Sequence, residues 1–247
     1  LIGVEPEQPD PAEALTILMI VAHPDDIDFG SGGSVATWTS EGHRVEYCLV
    51  TDGDAGGFDE GISRPDMATL RRDEQGAAAE ILGVSDLHFL GWPDGRIYVT
   101  HELRRDLSRV IRKVRPDRVV TQSPTRNLRS MYGSHPDHTA VGEAAMCAVY
   151  PDARNQFAHP ELLAEDGLDA HTVSEVWISH MGEGADHYVD TTDVFERKVE
   201  ALRAHKSQTA HMEDLRGRMW AWGRVQAKAA DFGADRLAEG YLVLDTR

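Results

Sequence analysis

Leu15-Thr16-Ile17-Leu18-Met19-Ile20-Val21-Ala22-His23-Pro24-Asp25-Asp26 is the stretch from which the fold can be read. Residues 15–22 are apolar almost throughout, the pattern of a central parallel strand covered on both faces. The run stops at one imidazole and two carboxylates. Gly30-Ser31-Gly32-Gly33 follows as a Gly-rich turn, with a helix expected over 31–41. Charged groups at the end of a buried strand are costly unless something pairs them, and a metal ion is the obvious partner.

Working outward, a second strand over 44–51 ends in another polar turn, Asp52-Gly53-Asp54-Ala55-Gly56-Gly57. The spacing predicts a helix over 66–82 with Leu70, Ala77, Ala78, Ile81 and Leu82 on one face, stopped by Gly83. A short strand over 86–91 leads into Trp92-Pro93-Asp94-Gly95, a turn signal. An amphipathic helix covers 101–114, and a fourth strand covers 118–121. The long polar loop after it reaches His135-Pro136-Asp137-His138, where Pro136 suits the first turn of a helix running to about residue 150. Residues 151–173 read as irregular. Strands are expected at 175–179, 187–190 and 241–244, with helices from a cap at Thr192 or Asp193 to about 205 and over 212–231.

Strand and helix alternate from 15 to 150, which implies right-handed crossovers and a mostly parallel α/β sheet with helices on both faces. No repeat or linker divides residues 1–247, so one domain is expected, with 1–14 (three prolines, four acids) as a flexible lead-in. Ligands bind such sheets at the carboxyl ends of the strands. The turns at 23–33, 52–57, 92–95 and 122–138 should therefore share one crevice.

Composition narrows the function. The formal net charge of −17 argues against nucleic acid and anionic membranes as partners. No apolar run approaches the roughly 18 residues of a membrane span. The acidic, Pro-rich start has no basic region and does not read as a signal peptide. Two cysteines, Cys48 and Cys147, read as buried reduced thiols, which suits the cytoplasm. The partner is then a small-molecule substrate, and homo-oligomerisation is left open.

His23 and Asp26, spaced i, i+3 in a turn, can point to one side and offer a nitrogen and an oxygen to Zn²⁺. A catalytic zinc wants a third protein ligand, and His138, at the second strand-end motif, is the choice. Asp25 can then stand over the open coordination position as general base. His135, when protonated, can stabilise an oxyanion or protonate a leaving amine. Asp137 can orient one of the histidines. The set suits metal-assisted hydrolysis of an amide or ester. The plainer alternative makes Asp25, Asp26 and Asp137 helix caps. A phosphate cradle at the glycines fails the G-x-G-x-x-G spacing and places acids beside the phosphate. In the second main helix Arg71, Arg72 and Glu74 are a solvated face, or one arginine clamps a polar substrate; Asp94 could accept hydrogen bonds from sugar hydroxyls.

Ala22-His23-Pro24-Asp25-Asp26 with Gly32-Gly33, and His135-Pro136-Asp137-His138, closely resemble the signature of the PIG-L/LmbE-like zinc-dependent de-N-acetylases. Thr51–Gly56, Arg72-x-Glu74, Leu90–Gly95 and the late block Lys198…His205-x-Ser207-Gln208 look like further blocks of that family, in order over 15–210. The resemblance implies a Rossmann-like fold and zinc held by His23, Asp26 and His138. It implies Asp25 as general base, His135 acting on the tetrahedral intermediate or the amine, and Arg72 and Asp94 facing the substrate. Members remove acetyl groups from N-acetylglucosamine conjugates, and some are amidases of thiol conjugates; a non-catalytic ligand-binding protein is the alternative of another class. Two departures stand out. Ile27-Asp28 follows the paired acids where many members carry Glu, and Tyr132-Gly133-Ser134-His135 is one residue longer than Tyr-Gly-His, which leaves a catalytic part for Tyr132 open.

Overall fold

Seven strands, β1 (Thr16–Val21), β2 (Arg44–Thr51), β3 (Asp86–Trp92), β4 (Arg118–Thr121), β5 (Glu175–His180), β6 (His187–Asp190) and β7 (Ala238–Asp245), form one sheet. Its order is β3-β2-β1-β4-β5-β7-β6. The first five are parallel; β7 runs antiparallel to both β5 and β6. The computed structural model describes residues 14–128, 131, 134–180 and 184–247. The lead-in through residue 13 and Tyr132 lie outside the described residues.

The apolar run of β1 divides strictly by twos. Leu18, Ile20 and Ala22 enter one core with Leu107, Ile111, Val141 and Ala145, while Ile17, Met19 and Val21 enter the other with Val35, Ala78 and Leu82. Successive side chains of a strand face opposite ways, so both faces of β1 are covered, as its unbroken hydrophobicity requires. The first core lies under α3 (His101–Val114) and α4 (Pro136–Cys147), the second under α1 (Asp26–Ser40) and α2 (Arg64–Ile81). Further helices are α5 (Glu161–Ala164), α6 (Phe195–Ala204), α7 (Lys206–Thr209) and α8 (Leu215–Ala229).

From β1 the chain winds outward to β2 and β3, then returns to the other side of β1 for β4 and β5. The reversal opens a crevice between the carboxyl ends of β1 and β4, where such sheets bind ligands. Gln122 closes its floor: its Oε1 accepts from Ala22 N at 3.0 Å just after β4, and Thr121 Oγ1 donates to Ile20 O at 2.9 Å.

Two expectations are corrected. Helix α1 starts at Asp26, not 31, so Gly30-Ser31-Gly32-Gly33 is no turn but part of a helix. A Cβ on Gly33 would lie 2.7 Å from Thr191 and 3.0 Å from Glu239 Oε1; the small residue lets the β6–β7 side of the sheet approach the helix. Glu239 accepts from Gly33 N (2.9 Å) and Ser34 N (2.6 Å) and is paired with Lys198 at 2.6 Å. A carboxylate of the protein thus occupies the amides that a phosphate cradle would need. Helix α2 buries Met67, Arg71, Glu74, Gln75, Ala78 and Ala79, whereas Ala77 is exposed, because its inner face is partly polar.

Candidate active site

The turn after β1 bends at Asp25, which takes a left-handed conformation (φ 85°, ψ −24°) at the start of α1. A non-glycine residue held there costs about 1–3 kcal/mol and persists only where its surroundings enforce it. Here Asp25 N donates to Gln75 Oε1 (2.8 Å), Arg71 donates to Pro24 O (2.5 Å), and the Arg71 guanidinium lies 3.2 Å from Asp25 Oδ2. Arg71 also donates to Gly53 O (3.0 Å). Gly53 has φ +64°, and a Cβ on it would come within 2.3 Å of that guanidinium.

Opposite this turn, α4 begins at the second His-Pro-Asp motif. His135 caps it, its Nδ1 accepting from Asp137 N at 3.2 Å. With that lone pair engaged, a neutral His135 carries its proton on Nε2. Burial, then the nearby His23 and His138, hold its pKa below the usual histidine value. The ring centroids of His23, His135 and His138 lie 4.9 to 5.2 Å apart.

Three donor side chains converge between the motifs. His23 Nδ1 is 3.2 Å from His138 Nε2 and 3.3 Å from Asp26 Oδ2, and His138 Nε2 is 3.0 Å from Asp26 Oδ1. A tetrahedral zinc with ligand bonds of about 2.0–2.1 Å has ligand–ligand edges of about 3.3 Å. The donor set therefore fits a divalent metal, although His23, His135 and His138 also lie close enough to share an ion.

The far side of His23 argues for the first arrangement. Its Nε2 faces Asp94 Oδ1 (3.1 Å) and Asp137 Oδ2 (3.2 Å). These carboxylates are already fixed by backbone donors: Asp137 by Gly95 N (2.7 Å) and Ile97 N (3.3 Å), Asp94 by Ala55 N (3.1 Å). Nε2 is then the N–H that orients the ring, leaving Nδ1 free for metal, the carboxylate–histidine arrangement of metal sites. Although His23, Asp94 and Asp137 could also group around an ion, the backbone donors on both carboxylates favour an orienting role.

The electrostatics favour a cation. Burial pulls the His23 pKa down, yet hydrogen bonds to Asp137, Asp26 and Asp94 leave it well above the ordinary histidine value. Burial would raise Asp26, but His138 and His23 hold it well below the usual carboxylate range. Burial pushes the Asp25 carboxyl up to about 6, against the pull of Arg71. Asp25, Asp26, Asp94 and Asp137 surround three imidazoles with one guanidinium, Arg71, beside them, so the cluster is rich in carboxylates and suits a further cation.

Of the residues singled out in the sequence, His23, Asp25, Asp26, Asp94, His135, Asp137 and His138 lie together. Asp94 is buried against His23. Arg72 lies at the rim, bound to Asp52 through two hydrogen bonds (2.8 and 2.7 Å) and stacked over Phe89. The arginine that touches Asp25 is its neighbour, Arg71. A cavity of about 340 Å³ bounded by Phe58, Met67, Leu70, Lys206 and His211 shares no residue with this cluster; chemistry rather than hollow volume locates the site.

The family described as PIG-L: GlcNAc-PI de-N-acetylase matches residues 18–149, both motifs included. The chain belongs to the PIG-L family. Within that family it is similar to the diacetylchitobiose deacetylase of Thermococcus kodakarensis, with 36% identity over 192 residues covering 78% of this chain and 69% of that protein. It is also similar to a probable N-acetyl-alpha-D-glucosaminyl L-malate deacetylase 2 of Bacillus cereus, at 29% identity over 82% of this chain and 88% of that one. Among solved structures it resembles the N,N'-diacetylchitobiose deacetylase of Pyrococcus horikoshii (TM-score 0.84, 28% identity, 98% of this chain and 88% of that chain). The fold alone is shared with GalB, the 4-carboxy-2-hydroxymuconate hydratase of Pseudomonas putida (TM-score 0.77, 22% identity). Fold does not dictate reaction, and the PIG-L assignment rests on the family match and on the relative at 36% identity. No helix among the described residues is long and apolar enough to cross a membrane.

Proposed function

We propose that the protein is a zinc-dependent deacetylase that removes the acetyl group of an N-acetylglucosamine-type substrate. The observation that carries this reading is the trio His23 Nδ1, Asp26 and His138 Nε2, with Asp25 and His135 beside it. Zinc bound there would polarise the acetamide carbonyl and lower the pKa of a water to about 7.

The chain's own groups do the rest. Asp25, ionised above about pH 6, accepts the proton of the attacking water, while Arg71 holds its carboxylate. His135 offers Nε2–H toward the carbonyl oxygen as charge develops on it. The proton taken by Asp25 returns to the nitrogen as the C–N bond breaks, so that water and acetamide become acetic acid and free amine, and the acid then ionises to acetate. Asp137 and Asp94 keep the His23 ring oriented, and Arg72 stands at the rim for the sugar. The relatives' names support an N-acetylated amino sugar as substrate. Two free thiols, Cys48 and Cys147, fit a cytoplasmic setting.

The test is a fluorescamine assay of amine release from N,N'-diacetylchitobiose, N-acetylglucosaminyl conjugates and N-acyl thiol conjugates, with metal analysis of protein purified without chelators. The expected result is about one zinc per chain and turnover of acetylated amino sugars. Asp25→Asn should keep the zinc and lose about 10²–10⁴-fold in kcat. Turnover of thiol conjugates alone would favour an amidase. Zinc-loaded protein inert toward every substrate would favour a binding protein, and full activity in Asp25→Asn would sink the mechanism.

A further inference from the structure

The late block from Lys198 to Gln208 enters no step above, yet it supplies some of the most buried polar groups in the molecule. Lys198 Nζ donates to Phe29 O at 2.8 Å, and Ser207 donates to Glu74 through its backbone N (2.8 Å) and Oγ (2.6 Å). Between these anchors, at the junction of α6 and α7, sits His205, fully buried like Asp28 and Gln75. Its Nε2 lies 2.9 Å from Asp28 Oδ2, and Gln75 Nε2 donates to the same oxygen at 2.9 Å.

We propose that His205, acting through Asp28 and Gln75, is a positioning residue that fixes the backbone of Asp25; this rests on the reading of Asp25 as the base. The direction of the relay follows from donor chemistry. An ionised carboxylate only accepts, so the Gln75 amide must turn its NH₂ to Asp28 and its oxygen outward. That oxygen is the acceptor for Asp25 N–H. Were the amide reversed, two donors would meet at Asp25 and two acceptors at Asp28. His205 keeps Asp28 in place, Asp28 sets the amide, and the amide holds the one residue of the turn whose backbone is left-handed.

A purely structural trio would saturate itself first. Instead, the hydrogen bonds among its three side chains all meet at one oxygen, and Asp28 Oδ1 and His205 Nδ1 have no hydrogen-bond partner among the described residues. The amide oxygen of the set, Gln75 Oε1, is spent outside it, on Asp25. The network thus joins α6–α7 and α2 to the turn after β1, and it reaches neither His23 nor His138.

The test compares His205→Leu with His205→Gln, whose amide nitrogen keeps a donor near the Nε2 position. Hydrogen exchange of residues 22–30 is followed by mass spectrometry in metal-free and zinc-loaded protein, alongside amine-release kinetics with N,N'-diacetylchitobiose. In His205→Leu, exchange of this segment should rise at least about tenfold while β1 is unchanged. Its kcat should fall about 10–100-fold with KM and zinc content held, and Gln should restore both. If the Leu variant does not fold, Gln75→Met removes the acceptor of Asp25 N itself and should give the same pattern. Unchanged exchange and kcat in a folded Leu or Met variant, no rescue by Gln, or zinc lost in step with activity would each overturn the inference. Wild-type protein that releases no amine would sink the deacetylase reading instead, and the exchange measurement would still decide this one.

Discussion

The sharing of one N–H by two carboxylates makes a quantitative prediction. His23 Nε2 is 3.1 Å from Asp94 and 3.2 Å from Asp137, so neither acid is its sole partner. In Asp94→Asn the amide must point its NH₂ at His23 or at Ala55 N, both donors, so one hydrogen bond is lost. Asp137→Asn meets the same conflict between His23 with Gly95 N on one oxygen and Ile97 N on the other. The surviving carboxylate takes over the N–H, which places each single variant near the lower end of the 10–100-fold loss typical of such outer partners, about 1.4 kcal/mol. In the double variant no charged acceptor remains and nothing fixes the proton on Nε2. The loss should then reach about 10³-fold, or about 4 kcal/mol. The excess over the summed singles, about 1 kcal/mol, is the coupling that a double-mutant cycle reads. Competitive zinc titration against a chromophoric chelator at fixed pH measures it. Additive losses, or a double variant that binds zinc like the wild type, would refute a shared orienting role.

Three other outcomes are expected. Gly33→Ala forces a Cβ to within 2.7 Å of Thr191 and 3.0 Å of Glu239; overpacking of about 1–3 kcal/mol outweighs the helix gain of at most about 1, so the urea midpoint should fall with an unchanged slope. Arg71→Met removes the charge that opposes burial at Asp25, so the acid limb of kcat/KM should move to higher pH, and an unmoved limb would disconnect the two residues. At His205, burial lowers the pKa, but the hydrogen bond and charge of Asp28, with Asp25, raise it overall against the repulsion of Arg71. A raised histidine stabilises the fold fully below its unfolded value, about 6.5, and loses that contribution as pH rises through the folded value. The stability advantage of wild type over His205→Gln in urea titrations should accordingly hold steady below about pH 6.5 and shrink above it; a growing advantage would contradict the sign.

Much of this was legible because the informative residues sit where strands end. An apolar run closing on His-Pro-Asp-Asp located β1, and the repeat of His-Pro-Asp before α4 located the other half of the site. The second helix resisted for a physical reason. Its inner face carries Arg71, Glu74 and Gln75, so apolar periodicity pointed about one residue away, to Leu70 and Ala77, and gave no means of choosing between Arg71 and Arg72. A glycine run reads as a turn by propensity, but at Gly33 the absent Cβ serves a close approach that only the folded sheet creates. His205 and Asp28 lie 177 residues apart, and no local pattern links them; only the late family-like block hinted that the segment mattered.

The placement of the site at the reversal of strand order bears on how the protein assembles. His23 and His138 are 115 residues apart, and they meet only once β4 has paired with β1, a contact of long sequence separation that forms slowly. A partly folded chain holding β1 to β3 alone has His23 and Asp26 but not His138. An ion held as proposed by His23, Asp26 and His138 would gain its full set of ligands only after that pairing. It should leave the folding rate nearly unchanged while slowing unfolding in proportion to its occupancy. In kinetic terms such an ion would be a latch on a finished structure rather than a nucleus for it.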